Sequence, residues 1–127
     1  MVRKFAVEEA LDLICGPRME YYGPPNENLE DIAASWTPYA RRALEQKGRF
    51  DGTDVCMMMV ILKAVRQVRG YHRDSVVDIG GYAELAEVLN DGEAFEAFVL
   101  RAASKIDDLE ERGRFIAKFL NKKEEDE

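Results

Sequence analysis

The sequence predicts an all-α protein, a compact helical bundle of about five to six helices around a buried central helix. Three observations support this. Apolar residues recur at helical spacing through most of the chain, no stretch alternates at period two for long enough to make a strand, and Gly or Pro marks most breaks between the periodic segments. At 127 residues the chain has the length of one ordinary domain. A single helical domain is expected over residues 1–120, with a charged flexible tail at 121–127.

The first helix is expected from Phe5 to Cys15, where apolar residues at 7, 10, 11 and 14 alternate with acids and Gly16-Pro17 stops the pattern. Residues 16–26 (GPRMEYYGPPN) read as a loop, because their Gly and Pro content opposes regular structure. Asn26 is suited to cap the second helix, which carries Leu29, Ile32, Ala33 and Trp36 on one stripe and closes near Gly48. Within it, Thr37-Pro38 either kinks the helix or restarts it. Thr53 is the expected cap of a third helix, Asp54 to Arg69, apolar all round in its first half and therefore central and buried. After a turn at Tyr71, His72 and Arg73 comes a fourth helix, Asp74 to Asn90. Asp91-Gly92 then breaks the chain before Glu93 to Ala103, and Ser104 with Asp107 is placed to cap a last helix reaching Leu120.

Composition narrows the function. Eighteen Lys and Arg against 25 Asp and Glu leave a formal charge of -7, a field that repels nucleic acid and anionic membrane surfaces. A small phosphorylated ligand is still compatible with it, since bound metal ions can bridge carboxylates to an anion. Cys15 and Cys56 have neither zinc-site spacing nor a disulfide pattern and are expected as reduced thiols. The opening residues, with Glu8, Glu9 and Asp12, are unlike a signal sequence, and the longest apolar run, Val55 to Leu62, is too short to cross a bilayer. A cytoplasmic location is expected.

Candidate chemistry centres on the fourth helix. A turn of about 100° per residue puts Asp74 and Asp78 on one face with Gly81, Tyr82, Leu85, Val88 and Leu89. Carboxylates on a face that should be buried need a cation, a hydrogen-bond network or a metal ion. Asp74 has a plainer reading as a cap, and Asp78, one turn further in, is the stronger functional candidate. Lys63 and Arg66 share a stripe with Cys56 and Met59, so they either bind phosphate oxygens or neutralise the aspartates. Glu27, Glu30 and Asp31 form a second acidic group at the start of the second helix, which reads either as a metal-binding face or as a solvated one. His72 is the only histidine and reads as a turn residue within reach of a ligand. Tyr21, Tyr22 and Trp36 could stack on a base, although Trp36 also suits the core, as do Met57, Met58 and Met59. No glycine spacing matches a P-loop or a dinucleotide fingerprint.

The run Asp54-Val55, Met58, Leu62-Lys63, Arg66, His72, Asp74-Ser75, Asp78 and Gly81-Tyr82, with Arg18, Tyr22-Gly23, Asn26 and Trp36 upstream, resembles an uncharacterised family of small proteins from phages of actinobacteria. The likeness covers roughly residues 14 to 86. Its members are often labelled MazG-like, which implies kinship with the all-α nucleoside triphosphate pyrophosphohydrolases. In those enzymes an ExxE and an ExxD motif hold magnesium, which activates water to release a nucleoside monophosphate and pyrophosphate. Glu27-Asn28-Leu29-Glu30 looks like the first motif, whereas Asp74 and Asp78 are four apart where the second has three.

The resemblance thus implies a magnesium site at Glu27, Glu30, Asp74 and Asp78, with Glu30 and Asp78 catalytic. It further implies phosphate contacts from Lys63 and Arg66, ligand contacts from Tyr22, Trp36 and His72, and a homodimer or higher homo-oligomer. The departure from the second motif favours the alternative, a non-catalytic helical module that binds a nucleotide or a host protein, as a phage regulatory or counter-defence factor. The plainest reading is a structural salt-bridge core joining Asp74 and Asp78 to Lys63 and Arg66.

Overall fold

A computed structural model describes residues 4–120 of the chain, so the expected tail at 121–127 lies outside the described residues. Local sequence accounts for most of the helix boundaries. α1 (Ala6–Ile14) begins where the Glu8 carboxylate accepts the Phe5 N–H at 3.1 Å. The Gly- and Pro-rich stretch expected as a loop contains a second helix, α2 (Pro17–Tyr22). Pro17 occupies its first turn, where its missing N–H costs nothing, and Gly23 ends it at φ 80°. Its φ disfavours any side chain, and a Cβ there would push aside the Arg69 guanidinium, 2.3 Å away.

α3 (Pro25–Lys47) starts one residue before Asn26 and runs unbroken through Pro38. Pro38 removes one backbone donor from the ladder, and the Thr37 hydroxyl bonds back to the Ala33 carbonyl at 2.7 Å, so no new helix starts at Thr37. Gly48, at φ 76°, closes it with its N–H on the Leu44 carbonyl.

α4 (Gly52–Arg66) is capped by Asp51, where Thr53 was expected. The Asp51 carboxylate accepts the Asp54 N–H at 2.9 Å, and the Asp54 carboxylate returns the bond to the Asp51 N–H at 2.8 Å. A 3-10 turn (Gln67–Arg69) leads to Gly70 and then to α5 (Arg73–Asn90). Asp91 caps α6 (Gly92–Ala103) by accepting the N–H groups of Glu93 and Ala94. α7 (Leu109–Leu120) is capped by Asp108, which accepts the Glu111 N–H at 2.8 Å. Ser104, the expected cap, instead donates its hydroxyl to the Arg101 carbonyl at the end of α6.

The chain is all-α among the described residues, and none of its helices is long and apolar enough to cross a membrane. It gathers into two compact units, one within Met1–Ala83 and one within Glu84–Glu127. In the first, α3 packs along α4, with Ile32 and Ala43 of α3 and Cys56 of α4 buried. α4 was expected to be buried all round; it is half-covered from Met57 to Lys63, and Val55 faces out. In the second unit α6 packs on α7, Val99 and Ala103 are buried, and the Arg112 guanidinium closes the connection by donating twice to the Ile106 carbonyl, at 2.8 and 2.6 Å.

Candidate anion-binding cleft

The chemistry of the first unit concentrates where α2, the start of α3 and the end of α4 meet. Gly23 and the prolines after it fold the chain sharply enough to bring Tyr22 against α4. There the Arg66 guanidinium lies over the Tyr22 ring, 4.5 Å from its centroid. Arg66 Nε is buried and has no hydrogen-bond partner. An arginine N–H withdrawn from water without an acceptor costs free energy, and the guanidinium geometry suits an anion arriving in its plane.

Beside it is a cavity of about 140 Å³, walled by Ile14, Met19, Pro25 and Leu29 with Arg18, Asn28 and Arg66 as its polar groups. Leu29, expected in the core stripe, forms this wall; of that stripe only Ile32 is buried, while Trp36 is half-buried. A smaller adjoining hollow shares Tyr22, Asn28 and Arg66 and adds Glu27, Asp31 and Arg69. Glu27 is paired with Arg69 at 3.0 Å, which holds the 3-10 turn against α3.

His72 stands behind the tyrosines. Its ring is edge-on to Tyr21 at 5.3 Å and to Tyr22 at 5.6 Å, and its buried Nε2 has no hydrogen-bond partner. The Gln67 side-chain amide clamps its backbone from both sides: Gln67 Nε2 donates to the His72 carbonyl, and the His72 N–H donates to Gln67 Oε1. The turn residue expected within reach of a ligand packs edge-on against both tyrosines.

The other predicted site residues are dispersed. Asp74 is exposed, Ser75 is buried, and Asp78, Ile79, Tyr82, Ala86 and Val88 are half-buried, so of the face expected to turn inward only Asp78, Tyr82 and Val88 are partly covered. Burying a carboxylate without a partner is costly, whereas Ser75, only 2% exposed, is small enough to admit close packing. Asp78 is half-buried and pairs with Lys63 at 2.9 Å. Lys63 and Arg66 therefore part company: one neutralises Asp78, the other lines the cleft. Glu30 is exposed. Among the described residues no three His, Cys, Asp or Glu side chains lie within reach of one metal ion. Trp36 is half-buried, and its indole N–H donates to the Met58 carbonyl at 2.6 Å, tying α3 to α4.

Sequence reasoning passed over two features. Asn28 lies inside the first acidic motif and was read only as a spacer. A buried network also forms around Asp54, which accepts the Tyr39 hydroxyl at 2.8 Å, Lys47 Nζ at 2.5 Å and the Asp51 N–H. The i, i+3 aspartates at the start of α4 carried the signal for it, as a capping box. Lys47 first, and then the Asp51 N–H, hold the Asp54 carboxyl well below the usual carboxylate range.

Helices without strands, together with an arginine laid on a tyrosine at the mouth of a mostly apolar cavity, define a small all-α protein with a cation-and-aromatic cleft. The chain belongs to the family described as Domain of unknown function (DUF6378), which matches residues 6–90 and so includes every residue of the cleft. It is 44% identical over 79 residues to the Gene 55 protein of Mycobacterium phage L5, a stretch covering 61% of this chain and 47% of that protein. To the Gene 55 protein of Mycobacterium phage D29 it is 39% identical over 82 residues, 64% of this chain and 50% of the relative. The matched stretch thus spans about half the length of these curated relatives. No solved structure matches the chain.

Proposed function

We propose that this protein binds the anionic group of a small phosphorylated molecule in the Arg66–Tyr22 cleft, acting as a ligand-binding module. The observation that carries the reading is the buried Arg66 Nε, unpartnered, on a guanidinium already oriented by stacking on Tyr22. Arg18 and Asn28 supply further donors at the same cavity, and its apolar wall suits the uncharged body of such a ligand. A nucleotide is the ligand class favoured, because the MazG-like resemblance implies one and because Tyr22 offers an aromatic surface.

The carboxylates bear on the choice between binding and turnover. Glu27 and Asp31 border the hollow beside Arg66, which favours a second reading as a magnesium-dependent pyrophosphohydrolase. That reading needs further carboxylates to join them, and within one chain Asp78 is held by Lys63 and Asp74 is exposed. Binding without turnover is therefore the preferred proposal.

Calorimetric titration with ATP, ADP, AMP and pyrophosphate, each with magnesium and with chelator, tests it. Saturable binding is expected, weakened about 10- to 100-fold in Arg66→Gln and only partly restored in Arg66→Lys, which keeps the charge and loses the planar fork. No binding by any of the four, or equal affinity in Arg66→Gln, refutes the assignment. Steady magnesium-dependent release of pyrophosphate from ATP, lost in Glu27→Gln, would move the enzyme reading ahead.

A further inference from the structure

The two hollows that meet at Arg66 differ in charge. The larger, of about 140 Å³, is lined by Arg18 and Arg66 and by no carboxylate. Among the described residues neither arginine has an ion-pair partner. The smaller, of about 40 Å³, adds Glu27, Asp31 and Arg69 to the Tyr22, Asn28 and Arg66 that the two share. Arg69 is held by Glu27 at 3.0 Å, and among the described residues no cation pairs with Asp31. A group passing Arg66 from the larger hollow to the smaller therefore leaves two free cations and meets an uncompensated carboxylate.

Size decides which part of a ligand enters which hollow. A water molecule needs on the order of 10–15 Å³ of such space, so the smaller hollow admits a group of about three or four non-hydrogen atoms. That is the bulk of one phosphoryl group and too little for a sugar or a base. The body of a phosphorylated ligand thus belongs in the larger hollow, beside Ile14, Met19 and Leu29, with its first phosphoryl at Arg66. A second phosphoryl, joined to the first, extends past Arg66 toward Asp31. A phosphate monoester carries a charge of roughly -1.5 to -2 at neutral pH, which Arg18 and Arg66 together balance. Each added phosphoryl brings more negative charge to a place whose one further cation, Arg69, is taken, and drawing Arg69 away would bare Glu27 as well.

We propose that the cleft selects phosphate monoesters against di- and triphosphates, and that Asp31 and the Glu27–Arg69 pair set this discrimination by charge. The proposal rests on the anion-binding reading above and narrows it to one ligand class.

Calorimetric titration of the full chain with AMP, ADP and ATP, near neutral pH and with chelator present so that no magnesium bridges carboxylate to phosphate, tests it. AMP is expected to bind roughly 3- to 10-fold more tightly than ADP or ATP, a margin that narrows with added salt because Asp31 is exposed and screened. Asp31→Asn keeps the shape of an exposed side chain that pairs with nothing, and is expected to raise ADP and ATP affinity more than AMP affinity and so remove the margin. Glu27→Gln, which frees Arg69, is expected to move the order further toward ATP. Equal affinities in the wild type, a wild-type preference for ATP, or a margin unchanged in Asp31→Asn overturns the selection while an Arg66-dependent anion site stands. Failure of all three nucleotides to bind overturns the anion-binding reading and the selection with it.

Discussion

Replacing Trp36 by Phe separates a structural tryptophan from a ligand-binding one. Its indole N–H donates to the Met58 carbonyl at 2.6 Å, a bond that spans the α3–α4 seam. Phenylalanine keeps an aromatic ring there but loses the donor. Because Met58 lies inside α4, its carbonyl retains the helical bond and is not orphaned, so the lost hydrogen bond costs about 0.5–1.5 kcal/mol. The smaller ring also gives up some tens of Å² of buried apolar area, at about 25 cal/mol per Å², bringing the total to about 1–2 kcal/mol. For a unit of this size that corresponds to a melting temperature lower by roughly 5–15 °C. Urea and thermal unfolding followed by far-ultraviolet circular dichroism measure it. The wild type offers a second reporter, since Trp36 is the only tryptophan and its fluorescence reads the seam directly. ATP affinity should stay within about twofold of wild type. Unchanged stability together with a tenfold loss of affinity would refute the reasoning and place the indole against ligand.

Two further predictions concern the α3–α4 end and the cleft. The depressed Asp54 carboxyl contributes stability that is present above the unfolded carboxylate value, near pH 4, and is lost as pH falls below it toward the folded value. The urea midpoint should therefore drop below about pH 4 in the wild type, and Asp54→Asn should be less stable at neutral pH with a flatter acid limb. At the alkaline side the signs reverse: burial and the bond to Asp54 raise the Tyr39 phenol, and the same carboxylate raises Lys47, so their contributions are lost as pH climbs through the raised values. Gly23→Ala should destabilise by about 1–2 kcal/mol, because it forces a side chain into φ 80°, with the Arg69 guanidinium shifting to make room. It should also weaken ATP binding, since the turn positions Tyr22; an unaffected Kd would detach that turn from the cleft.

The sequence by itself determined the helical class and most breaks between helices, and it singled out Tyr22 and Arg66 as candidate ligand contacts, while Arg18 stood out only in the family resemblance and the rest of the cleft lining not as a site. Helical periodicity and Gly or Pro punctuation are local properties, so they can be read one segment at a time. What they miss is also local in origin. Pro17 starts a helix because its first-turn position needs no N–H, and Asp51 outcompetes Thr53 as a cap because Asp54 returns the bond.

The site was decided only in three dimensions. Nothing in the spacing of Lys63 and Arg66 separates them, yet one meets Asp78 and the other Tyr22, because α5 and α2 reach different points along α4. Periodicity placed Asp74 and Asp78 on a face expected to turn inward, but the orientation of a helix follows the cost of what it must bury. Turning Ser75 inward leaves Asp74 in water while half-buried Asp78 meets Lys63, so two carboxylates that look equivalent in sequence have different surroundings in the single chain.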